Sequence, residues 1–219
     1  MGGGDKPFKK RKARQLSELK RKQARRAPYD RVLIVCEGET EEKYFKGLVR
    51  SLQLNTANIR IPSNTAGASP RNVVEFAIQE YNRSKDYDRV YCVIDKDRHT
   101  QYSEALDMVK RKRLNKYHSM HAITSVPCFE FWILLHFIMT TRSFYNSPGS
   151  PCMQVIKELK PYIPEYEKAS ATLFDITKDR LNEAVQHAEK VLAHCRSAMT
   201  DDPSTKIHEL VSYLKQLKH

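Results

Sequence analysis

The sequence predicts an α/β fold, a mainly parallel sheet flanked by helices with a helical C-terminal part. Three observations predict it. Short continuous apolar runs, VLIVC at 32–36 and VYCVI at 90–94, have the length and character of strands covered on both faces. Stretches with apolar residues at helical spacing lie between them. After residue 125 the strand-like runs stop and only helix-like patterns follow.

Residues 31–36, RVLIVC, read as the first strand, and Gly38 then allows a tight turn. Thr40 is placed to cap the next helix, with Glu41 and Glu42 in its first turn, where the helix dipole favours acid. Tyr44, Phe45, Leu48, Val49 and Leu52 carry that helix to about residue 54. NIRIP at 58–62 is a weak second strand, and Ser69 and Pro70 read as the N-cap and first position of a second helix. RVYCVI at 89–94 is the third strand, followed by a helix near 101–114 and a strand near 120–125. FEFWILLHFIM predicts an apolar helix over 129–139, and three further helical patterns follow the break at NSPGSP. The organisation expected is a basic arm over 1–28, an α/β core over 29–140 and a helical C-terminal subdomain over 141–219 packed on that core.

The 219 residues carry a formal net charge of +12. Most of it sits in the arm, where Lys6, Lys9, Lys10, Arg11, Lys12, Arg14, Lys20, Arg21, Lys22, Arg25 and Arg26 face only Asp5 and Glu18. Such a segment repels itself and has too little apolar surface to pack, so it reads as a nucleic-acid-binding arm. Its binding is expected to be steeply salt-dependent, since each neutralised phosphate releases counterions. The bland alternative is a solubilising tail. No apolar stretch reaches the roughly 18 residues of a membrane span, and no signal-peptide core is present. The five cysteines form no C-x-x-C pair and no zinc pattern, so the cytoplasm is the expected compartment.

Both strong strands end in acid. Glu37 follows the first directly, and Asp95 and Asp97 follow the third. In open parallel sheets, ligands collect beyond the carboxyl ends of the strands. If those strands are neighbours the three carboxylates converge, and two aspartates at i and i+2 of an extended segment point the same way. Such a cluster repels itself unless a cation fills it, and Mg²⁺ (or Mn²⁺) takes a few carboxylates, water and phosphate oxygens. Each acid alone is as readily a cap or turn former. Glu39 and Glu41 read as solvated or capping.

VLIVCEGETE and VYCVIDKD resemble the two signatures of the TOPRIM domain, found in topoisomerases, bacterial primases and OLD-type nucleases. The resemblance implies that Glu37 acts as general acid, base or metal ligand, and that Asp95 and Asp97 hold Mg²⁺. CEGETEEKYFKGL, SVPCFEFWILLHF and PSTKIHELVSYL are similar to RloB-like proteins, over roughly residues 30–217. This implies a TOPRIM core and a nuclease-like effector of anti-phage defence or abortive infection, encoded near restriction loci and often beside an AAA-type or ABC-type ATPase. The basic arm departs from that pattern.

Further candidates follow. Glu130 inside an apolar helix is costly to bury alone, so it faces the metal edge or pairs with a base. Arg98, His99, Lys206 and His208 are candidates for substrate phosphate; Ser204, after Pro203, reads as a helix N-cap. His136 reads as a satisfied core histidine, Phe131, Trp132 and Phe137 as core, and Lys43 as solvent-facing. The reaction expected is metal-dependent phosphodiester hydrolysis of DNA or RNA, tRNA included. The alternative is a non-catalytic nucleic-acid- or metal-binding partner of a defence ATPase. A phosphoacceptor domain would need a switch Thr and Lys at later strand ends, which this sequence does not offer, and topoisomerases and primases need further domains. Oligomeric state is left open.

Overall fold

The computed structural model describes residues 30–63, 69–97, 100–146 and 149–217. The described residues from Arg31 onward form one compact unit. The basic arm, Arg98 and His99 lie outside the described residues.

The chain runs β1 (Val32–Cys36), α1 (Glu39–Ser51), β2 (Ile59–Arg60), α2 (Pro70–Ser84), β3 (Arg89–Asp95), α3 (Tyr102–Arg111), β4 (Ser119–Val126) and α4 (Phe129–Leu134). It continues through α5 (Pro151–Leu159), α6 (Leu173–Thr177), a 3₁₀ turn (Lys178–Arg180), α7 (Leu181–Ser197), β5 (Ser204–Thr205) and α8 (Ile207–Gln216). The strand order is β2-β1-β3-β4-β5, parallel except for β5. The expected α/β class and mainly parallel sheet are therefore present.

Strand alternation divides the core. Val32, Ile34 and Cys36 of β1 face one side with Tyr91 and Val93 of β3. Leu33 and Val35 face the other with Val90, Cys92 and Ile94, against Val73, Val74 and Ala77 of α2. The first core takes in Tyr44 and Phe45 of α1, Trp132 of α4, Phe174 of α6 and Leu210 of α8. Residues before and after 140 thus share one apolar core. Helix α1 approaches α6 closely because Gly47 has no side chain: a Cβ there would lie 2.7 Å from that of Phe174.

Several local expectations change. Gly38, not Thr40, is the N-cap of α1, and Thr40 is buried inside the helix, where its hydroxyl accepts from the Ala169 N–H at 2.9 Å. Ser69 caps α2 as expected, accepting from Asn72 N–H, with Pro70 first in the helix. Helix α4 ends at Leu134 rather than near 139. There the His136 ring takes the Trp132 carbonyl at 3.0 Å, and the His136 N–H turns to Ile133 instead. Ser204 lies in β5 with its hydroxyl on the Asp201 carbonyl, and Lys206 is the N-cap of α8.

Candidate metal and active site

The site is built where β1 and β3 stop. The two strands pair in parallel from Val32↔Arg89 to Cys36↔Val93, and the Glu37 N–H extends the ladder to the Val93 carbonyl at 3.1 Å. Asp95 closes β3. Its N–H donates to Glu37 Oε2 at 3.1 Å, and its own Oδ2 accepts from the Phe129 N–H at the start of α4 at 3.0 Å. One aspartate thereby ties β1, β3 and α4 together. Its second oxygen, Oδ1, is buried with no hydrogen-bond partner.

Glu130, in the first turn of α4, is 2% exposed. It accepts from Tyr166 Oη at 3.0 Å and pairs with Lys168 Nζ at 3.2 Å, while Cys152 Sγ lies 3.2 Å from its Oε2. Glu41, on the first turn of α1, is 6% exposed. Burial pushes its pKa up to about 7; its own backbone N–H opposes the rise, and the charges of Glu130 and Glu37 add to it. Asp95 rises well above the carboxylate range, first through burial and then through Glu41, Glu130 and Glu37. Four carboxylates therefore feel one another, with Lys168 as their nearby cation. Burial works against the Lys168 charge, but Glu130, Asp95 and Glu41 outweigh it and raise its pKa.

Gly38 makes room for this cluster. Its backbone is extended, a conformation open to any residue, so the tight turn is not its role. A Cβ there would stand 2.9 Å from Glu41 Oε2.

Asp97 arrives differently from the sequence expectation. It is not in an extended segment with Asp95 but in a turn with φ +28°, so strand alternation does not aim it. Its N–H donates to the Pro127 carbonyl at 2.8 Å, and its carbonyl accepts from Tyr145 Oη at 2.7 Å. Its Oδ1 is buried without a hydrogen-bond partner.

Among the other candidates, Lys206 lines a cleft beside β4 and His208 is buried in the first turn of α8, where burial lowers its pKa. None of the described contacts joins either to the carboxylates. His136 is a core residue, 3.2 Å from Tyr44 Oη, and burial lowers its pKa to about 4. Phe131 and Trp132 are fully buried, and Phe137 is half-buried against Tyr162. Lys43 is half-exposed but reaches the Ala169 carbonyl at 2.8 Å.

The donors fit a hard divalent cation. They are carboxylate oxygens, two of them buried and unpartnered, held among like charges that a cation would relieve. A softer set lies alongside: ligand atoms of Cys128, Glu130 and Cys152 fall within 4.8 Å of one another. The two sulfurs of that set are in disulfide contact, with Cα atoms 5.7 Å apart.

The family model for RloB-like protein matches residues 32–214, from the start of β1 into α8. The chain belongs to the RloB-like protein family. No curated protein and no solved structure matches it.

In this RloB-like chain, sequence reasoning missed Glu41, Tyr166 and Lys168. The sequence pattern makes Glu41 a solvated or capping acid, and the structure corrects that: only Glu39 of the two is exposed, paired with Lys43 at 3.1 Å. The one signal in the sequence was the density of acid in EGETEE. Tyr166 and Lys168 come from an aperiodic stretch between α5 and α6, where no spacing rule points at a site.

Proposed function

We propose that this RloB-like protein is a divalent-metal-dependent nuclease, hydrolysing phosphodiesters of DNA or RNA, and that it acts as a defence effector. The observation that carries the reading is Asp95. It is fixed by β1 and α4, surrounded by Glu37, Glu41 and Glu130, and left with a buried oxygen that no protein donor fills. An aspartate held for structure alone would have its buried oxygen satisfied.

Glu37, Asp95 and Asp97 would hold Mg²⁺ or Mn²⁺, which when bound polarises the phosphodiester and its water. The chain's own residues do the rest. Glu41, with a pKa near 7, can give or take a proton at neutral pH. Lys168 balances the charge of Glu130, and with Tyr166 it fixes that carboxylate's orientation. Asp95 joins the helix start to the strand ends, so the donors keep their spacing when charge changes.

The test is cleavage of supercoiled plasmid, single-stranded DNA and total tRNA by wild type and Asp95→Asn, with Mg²⁺, Mn²⁺ or EDTA. Metal-dependent products lost in the variant are expected. Equal products from both proteins would sink the reading. Silence from both, with a defence ATPase added, would leave the non-catalytic partner.

A further inference from the structure

β4 has an unfinished edge. β5 pairs with it only at Ser125 and Val126, and the Lys206 N–H adds one bond to the Thr124 carbonyl. Backbone groups of alternate residues point to the same side of a strand, so those of Met120 and Ala122 face outward as Thr124's carbonyl does. Among the described residues no strand covers them. Along this edge lies a cleft of about 1070 Å³, between the end of α3 with the loop after it and the α7–β5 segment.

Its charge is one-sided. Lys110, Lys112, Arg113, Lys116, Arg196 and Lys206 line it, against Asp201 and Glu209. Among the described residues no carboxylate pairs with Lys112, Arg113, Lys116, Arg196 or Lys206. Clustered like charge along a concave wall raises the local anion concentration. At the lip, Tyr117 is 74% exposed, with Lys116 Nζ 5.0 Å from its ring centroid. An exposed ring beside cations is what an unpaired base stacks on.

The cleft also leads somewhere. Thr124 and Val126 line its far end, and there the Lys96 and Asp97 N–H groups bond the Ser125 and Pro127 carbonyls. Lys96 Nζ pairs with Asp201, a residue of the cleft wall, at 2.7 Å. The cleft therefore ends beside the segment that carries Asp95 and Asp97, where β5 covers the edge of β4 at Ser125 and Val126.

We propose that this cleft seats an unpaired nucleic-acid strand and delivers it to the carboxylates. The proposal rests on the nuclease reading for its destination but not for its binding. A single strand fits better than a duplex because a duplex hides the base faces that Tyr117 would meet. It fits better than the chain's own basic arm, whose charge matches that of the walls. It fits better than an acidic peptide because the cleft ends at a site suited to phosphodiesters.

The experiment uses full-length protein in EDTA, so that binding is read without cleavage. Fluorescein-labelled 16-mers of oligo(dT) and oligo(U), and a 16-bp duplex, are titrated by anisotropy over a NaCl series. For the combined Lys112→Glu, Arg113→Glu, Lys116→Glu variant, single-strand affinity should fall at least tenfold. The slope of log K against log salt should shrink by about 2, from three contacts at roughly 0.7 each. Tyr117→Ala should lose roughly tenfold with an unchanged slope. Melting temperatures matching wild type exclude misfolding, since these side chains are mostly exposed. The oligo(dT) and oligo(U) arms separate DNA from RNA. Wild-type binding by the triple variant overturns the proposal, as does a loss confined to the duplex. Displacement of the oligomer from wild type, but not from Tyr117→Ala, by a poly-glutamate peptide would assign the edge to a peptide instead. Wild type that binds but never cleaves fells the nuclease reading and leaves the cleft standing.

Discussion

The Asp95 backbone N–H donates to Glu37 Oε2 at 3.1 Å, so an acid at the end of β1 is held by the main chain at the end of β3. This bond needs an oxygen, not a charge. Glu37→Gln keeps the acceptor and removes the charge, whereas Glu37→Ala removes both. Expected is a normal melting temperature for Glu37→Gln with Mg²⁺ affinity weakened at least tenfold by calorimetry. Glu37→Ala should add a loss of about 1 kcal/mol of stability. Unchanged Mg²⁺ affinity in Glu37→Gln would remove Glu37 from the ligand set.

Glu41 gives a pH dependence of defined sign. Its pKa is about 7 in the fold against an ordinary 4.5, so the folded chain binds its proton more tightly than the unfolded chain. The stability this confers is fully present below about 4.5 and is lost as pH rises through about 7. Asp95, shifted the same way, adds to the loss. The Glu41 share is on the order of 3 kcal/mol, or several degrees of melting temperature for a chain of this size. In EDTA, melting temperature should fall between pH 5 and pH 8. Glu41→Gln should flatten the fall, and Mg²⁺ should reverse part of it at pH 8. A fall identical in wild type and Glu41→Gln would show that Glu41 does not carry it.

Gly38 can be tested for the space it leaves. An added methyl meets Glu41 Oε2 at 2.9 Å while the backbone angles suit any residue. Gly38→Ala should therefore move the Glu41 carboxylate rather than the fold. Expected is a melting temperature in EDTA at pH 5 within a few degrees of wild type, with weaker Mg²⁺ stabilisation at pH 8. Loss of the folded state would instead make Gly38 a backbone requirement.

The readability of these features from sequence follows their physical origin. β1 and β3 were legible because both faces of a parallel strand must be apolar, and the meeting of Glu37 and Asp95 because each directly ends one of those strands. Asp97 was legible in position but not in geometry, since a turn at φ +28° leaves no mark in the pattern D-x-D. The end of α4 was hidden because FEFWILLHFIM is apolar but for Glu130 and His136, and there the histidine ring takes the Trp132 carbonyl. Two-residue β5 has no periodicity to read, and its pairing with Ser125 and Val126 is tertiary.

Lys168 and Glu130 form a half-exposed pair: the lysine side chain is 61% exposed and the glutamate 3%. Solvent screens the lysine, so Lys168→Met should cost only about 1 kcal/mol. Glu130 would then keep Tyr166 as its donor. The double variant with Tyr166→Phe should cost more than the sum of the two single changes, because Glu130 would be left buried without either group. Additive losses in urea unfolding would show that the two donors act independently.

Cys152 should give the same carboxylate a redox dependence. Its Sγ lies 3.2 Å from Glu130 Oε2 and in disulfide contact with Cys128. A thiol there has a proton to donate to Glu130; a disulfide has none. Reduction should therefore add a donor to Glu130 and change how strongly Mg²⁺ stabilises the protein. Cys152→Ser carries a hydroxyl that donates whatever the redox state, so its Mg²⁺ response should be the same with and without dithiothreitol. Peptide mapping under non-reducing conditions should find Cys128 linked to Cys152, with Cys36, Cys92 and Cys195 free. A wild-type Mg²⁺ response that ignores dithiothreitol, with the link confirmed by mapping, would show that Cys152 does not act as a donor to Glu130.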